Sequence, residues 1–112
     1  MSQFLQVMTT LDSDTDANHL AKELVEARLA ACVQIVGPIH STYWWKAEIE
    51  KATEWLCIIK TRTELFDVLA ERITALHSYE TPEITATPIT DGSPDYLTWI
   101  ADETTAQGPA RP

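Results

Sequence analysis

A chain of 112 residues, 45% of them hydrophobic, has the size and composition of one small globular domain. It holds no apolar run of about 18 residues, so no membrane-spanning helix is read. Seventeen acidic residues against eight basic ones give a net charge of -9, and the Lys and Arg do not cluster, which argues against nucleic acid or an anionic membrane as partner.

The opening Met1-Ser2-Gln3-Phe4 lacks a basic stretch before an apolar one. No secretory leader is read, and the cytoplasm is the expected compartment. Residues 3–10, QFLQVMTT, read as a strand. Asp12 to Asp16 supply N-cap candidates and negative charge for a helix start. Ala17, Leu20, Ala21, Leu24 and Val25 then form one apolar helical stripe, extended by Leu29.

Residues 31–45, ACVQIVGPIHSTYWW, form a long strand that Gly37-Pro38 must bulge, bend or place on an edge. Residues 46–52 are polar, and residues 53–61 resume as a strand. The pair predicts a long hairpin with its turn near Lys46-Ala47. Cys32 and Cys57 belong to no CxxC motif and lie far apart along this ribbon. They read as small buried hydrophobes, without an intrachain disulfide.

Thr61 to Glu64 has the spacing of a capping box opening a second helix, with Leu65, Val68, Leu69, Ile73 and Leu76 on one face. Residues 83–90 predict a short strand, with Pro88 at an edge or exit. Ser93-Pro94-Asp95 starts a last helix that carries Tyr96, Trp99 and Ile100 on one side. The domain is set at residues 1–103, and the Pro- and Gly-containing segment 104–112 reads as a flexible tail.

The order predicts an α+β, ferredoxin-like β-α-β-β-α-β sandwich with a long β2-β3 hairpin and a C-terminal helix. Helices are expected on one sheet face only. The hairpin carries Tyr43, Trp44, Trp45, Trp55, Leu56, Ile58 and Ile59, more apolar surface than an isolated ribbon holds in water, so a second copy is expected to cover it.

No GxSxG, HExxH, P-loop or GxGxxG is present, and no enzyme activity is expected. The densest polar-aromatic cluster runs from His77 through Tyr79 and Glu80 to Glu83. It reads either as a divalent-metal site or as a helix-end His beside loop carboxylates. Lys60 reads as a snorkelling strand-end residue or as an ion-pair partner of Glu54 or Glu83. Trp44-Trp45 reads as an oligomer contact or as a stacking platform.

Five blocks carry a resemblance: Ala27-Arg28-Leu29-Ala30-Ala31-Cys32-Val33, Tyr43-Trp44-Trp45, Ile58-Ile59-Lys60-Thr61, Tyr79-Glu80-Thr81-Pro82-Glu83-Ile84 and Asp95-Tyr96-Leu97-Thr98-Trp99. In this order and spacing, over residues 3–102, the chain resembles the CutA divalent-cation-tolerance family. The resemblance implies a homotrimer, formed through the hairpin and the last helix as in PII-like trimers, and a role in tolerance to metal ions, copper above all. It implies an inter-subunit cleft built from Trp45, Lys60, Tyr79, Glu83, Tyr96 and Trp99, and weak copper binding through His77. The alternative is a PII-like sensor of a small ligand. The chain departs from the family's proposed copper site, with Thr9 for a Cys and Leu76 for a His. Ser78 stands for a Pro. Ala47 stands where the hairpin often has Gly, so a different turn geometry is expected.

Overall fold

A computed structural model describes residues 2–105. The elements are β1 (Phe4–Leu11), α1 (Asp14–Glu26), β2 (Cys32–Trp45), β3 (Glu48–Arg62), a 3-10 turn (Thr63–Leu65), α2 (Phe66–Leu76), β4 (Thr85–Pro88) and α3 (Pro94–Glu103). The sheet order is β2-β3-β1-β4, antiparallel throughout, which is the ferredoxin-like arrangement read from the sequence. Among the described residues no helix is long and apolar enough to cross a membrane.

Strand alternation sorts the side chains into two layers. Val7 pairs with Ile59 and Thr9 with Cys57, and all four are fully buried beneath α1 and α2. Leu20 and Leu24 from α1, and Leu69 and Ile73 from α2, close that core. Val25 and Val68, members of the two predicted stripes, are exposed and miss it. The core therefore occupies a narrower arc of each helix than sequence spacing indicates.

Ser13 caps α1, its Oγ accepting from the Asp16 amide at 3.0 Å. The helix stops at Glu26. Arg28 takes a positive φ of 62°, and the amides of Arg28 and Leu29 turn back to the carbonyls of Val25 and Leu24, the closing pattern of a Schellman turn. Leu29 thus enters the core from the turn, not from the helix.

Three expectations are corrected. Thr61 is not a helix cap: β3 runs through it to Arg62, and its buried hydroxyl donates to the Leu29 carbonyl at 2.7 Å. Helix α2 begins only at Phe66, with no side-chain cap bond. The segment 48–52 is strand, since its side chains need no core to keep the ladder with β2. The hairpin turn keeps the geometry expected of Gly-containing turns: Lys46 and Ala47 have φ of 49° and 67° between the paired Trp45 and Glu48, as a two-residue type I′ turn demands. Ala47 adopts it with its Cβ in place.

The ribbon bulges between Val36 and Ile39. There the indole of Trp55 lies so close to Gly37 that a Cβ on Gly37 would collide with it. Cys57 pairs with Ile35 and Cys32 with Lys60. The two cysteines therefore face opposite sides of the sheet, and both are free.

The second sheet face is not wholly bare. Helix α3 docks at its base, with Ile100 fully buried. Arg62 donates to the Oγ1 and the carbonyl oxygen of Thr104 at 2.8 and 2.7 Å, and Arg28 pairs with Glu103 at 2.8 Å. Thr104, where the tail was expected to begin, is buried. Residues 106–112 of that tail lie outside the described residues. Beyond the base the hairpin projects, and the molecule measures 54 × 27 × 23 Å.

Candidate functional site

The loop from His77 to Glu83 is fastened to the sheet by its own side chains. His77 Nε2 donates to the carbonyl of Thr10 on β1 at 2.7 Å, and His77 Nδ1 accepts the amide of Tyr79 at 3.1 Å. These two bonds select the neutral imidazole protonated at Nε2. The ring also packs at a tilt of 52° against Tyr79, centroids 4.7 Å apart. His77 is thereby a positioning residue that sets the Tyr79 phenol over β3, where its hydroxyl donates to Glu54 Oε2 at 2.8 Å. Burial first, then the Glu54 hydrogen bond and charge, push the Tyr79 phenol well above its ordinary pKa, so it stays a donor.

Around this pair opens a cavity of about 860 Å³ between the loop and the outer half of the hairpin, within the usual size range of ligand pockets. Trp45, Tyr43 and Tyr79 supply its aromatic wall, and Asp12, Glu54, Glu80 and Glu83 its carboxylates. Glu54 is only 6% exposed. At the mouth, Lys46 Nζ lies 5.5 Å from the centre of the Trp45 ring and 3.9 Å from Glu80.

Of the six cleft residues expected from sequence, Trp45, Tyr79 and Glu83 line this cavity. The other three are grouped elsewhere. Lys60 lies six residues along β3 from Glu54, about 20 Å of strand, and donates to Gln34 at 2.6 Å rather than to either expected carboxylate. Tyr96 approaches Cys32, the neighbour of Lys60 on β2, and stacks with Trp99 at 5.4 Å. Within one chain the six residues therefore fall into two separate groups. The sequence reading missed Glu54, Asp12 and Tyr43. The signal for Glu54 was a lone carboxylate opening an otherwise apolar strand segment.

The residues present do not fit a copper centre. Copper needs several nitrogen or sulfur donors converging on one point. Both nitrogens of His77 are already engaged. Thr9, at the position of the family's Cys, is fully buried opposite Cys57, whose thiol burial pushes up to about 11. Among the described residues no group of three His, Cys, Asp or Glu is arranged to hold a metal ion.

The family model described as CutA1 divalent ion tolerance protein matches residues 5–103. The divalent-cation tolerance protein CutA of Thermus thermophilus is 46% identical over 98 residues, spanning 88% of this chain and 95% of that one. Its counterpart in Archaeoglobus fulgidus is 46% identical over 104 residues, 93% of this chain and 98% of that one. The crystal structure of CutA from Xylella fastidiosa superposes with a TM-score of 0.90 at 36% identity, covering 93% of this chain and all of that one.

Proposed function

The chain belongs to the CutA1 divalent ion tolerance protein family, and from that premise we propose that it acts as a homotrimeric divalent-cation tolerance protein of the cytoplasm, a binding protein rather than an enzyme. The observation that carries the trimer is the bare end of the hairpin. Trp44 is 72% exposed and its strand partner Ile49 61%, while Tyr43 and Trp45 lie on the opposite face of the ribbon. Three ribbons packed together bury this surface, and α3 of one copy then brings Tyr96 and Trp99 toward the hairpin of the next. Copper enters as the challenge to the cell, met through weak contacts at an acidic surface of net charge -9 per chain, not through a chelate on His77.

Cells lacking the chain, grown across a copper series, test this. Re-expression of the wild type is expected to restore growth, and Trp45→Ala to restore it less. Tolerance that does not change when the chain is removed contradicts the proposal. The cavity favours a second reading, a PII-like trimer that binds a small ligand between subunits.

A further inference from the structure

We propose that the cavity bounded by Glu54, Tyr79 and Trp45 is a recognition site for an organic cation, an ammonium or guanidinium group. This rests on the second reading above and names the ligand class of that site.

Charge carries the first part. The lining holds four carboxylates and no Lys, Arg or His. Glu54 is nine-tenths buried, yet among the described residues it forms no ion pair. Among the described residues its hydrogen-bond partner is the Tyr79 hydroxyl at Oε2, and Oε1 stays accessible from the cavity. Buried charges are ordinarily paired, and a carboxylate held by Tyr79 at one oxygen with the other open to the cavity is placed to take a counter-charge from outside the protomer.

The walls decide which cation. A metal ion needs donors convergent on one point, and these carboxylates are dispersed around the cavity. Aromatic faces beside dispersed carboxylates suit a diffuse organic cation, which gains from ring faces as well as from charge. The mouth already shows this chemistry: the Lys46 ammonium sits over the Trp45 ring and beside Glu80. Two sources offer the same group, a free amine or a basic side chain of a neighbouring copy.

The test titrates agmatine, which carries both head groups, into the full-length protein, followed by calorimetry and Trp fluorescence. Butanol and magnesium chloride serve as controls. Agmatine is expected to bind and butanol not to bind. Glu54→Gln, which keeps an acceptor for Tyr79, should weaken agmatine at least about tenfold. The double variant Glu80→Gln/Glu83→Gln, at exposed positions that do not threaten folding, should weaken it too. Glu71→Gln, an exposed acid outside the cavity, should not. If agmatine fails to bind the wild type but the same Glu variants lower the concentration stability of the assembly, the cation is a neighbour's side chain. The proposal is overturned if neither agmatine binding nor assembly responds to these variants, or if magnesium matches agmatine with the same variant dependence. In either overturning case, an intact assembly and unchanged copper tolerance leave the family reading standing.

Discussion

Strands β2 and β3 pass through two environments within one hairpin. At the base, Ile59 and Cys57 are fully buried under α1 and α2, and α3 is tied to Arg62 and Arg28 from the other side. At the tip, the same ladder continues through Trp44 and Ile49 with most of their surface in water. The backbone bonds are alike in both places, so hydrogen bonding does not distinguish them. Burial does: the base is completed by the chain's own helices, whereas the face of the tip that carries Trp44 and Ile49 is covered by none of the described residues. The base is closed by the chain's own helices, and the trimer proposed above assigns the tip to contacts between copies.

That contrast breaks most visibly at the base. Ile73→Ala opens a cavity where α2 meets the core, and urea denaturation should show a loss of about 2–5 kcal/mol. At the junction of the two regions, Gly37→Ala drives a methyl into the Trp55 indole. It should cost about 1–3 kcal/mol by the same assay, whereas an unchanged midpoint would mean that the ribbon yields freely at the bulge.

Thr9→Val sharpens the comparison in the other direction. The buried Thr9 hydroxyl has no hydrogen-bond partner among the described residues, and replacing it with a methyl of similar shape should stabilise the base by about 1 kcal/mol. At the tip, Trp44→Ser should change the folding stability of the base by less than about 0.5 kcal/mol while raising the concentration needed for assembly, as sedimentation would show. A Trp44 variant that assembles like the wild type removes this residue from the interface.

The smallest effect near neutrality is the pH dependence of the core thiol. Burial raises the Cys57 pKa from 9.0 to about 11, so the folded chain keeps a proton that the unfolded chain releases. This contribution is complete below pH 9.0, the unfolded value, and is lost as pH rises through about 11. Urea midpoints should therefore hold steady up to that lower value and fall above it. The Tyr79 phenol acts with the same sign.

The ferredoxin-like order was legible because each element carries its own period and its own punctuation, such as Ser13 before α1 and Gly37-Pro38 at the bulge. Boundaries were less so. Thr61 and Glu64 have capping-box spacing, but a cap must sit where a helix begins, and the Leu29 carbonyl holds Thr61 in the strand. Ala47 took a turn that favours Gly, because the flanking pairs fix the backbone more strongly than one residue's preference opposes it. At the site, Trp45, Tyr79 and Glu83 were found through motif blocks. Glu54 was passed over as a functional residue because its significance lies in being buried without a counter-charge, which sequence spacing does not reveal. The metal-ligand reading of His77 looked sound by residue type, yet the imidazole is spent on Thr10 and Tyr79.

On the proposed trimer, the tip folds stably only against other copies of the chain. Native mass spectrometry of the untagged protein over a dilution series down to nanomolar concentration tests it most directly. A particle of three 12.6 kDa chains is expected to persist through micromolar concentrations, and Trp45→Ala to shift it toward smaller species. A single 12.6 kDa chain at micromolar concentration, folded and stable with its hairpin in water, would contradict it.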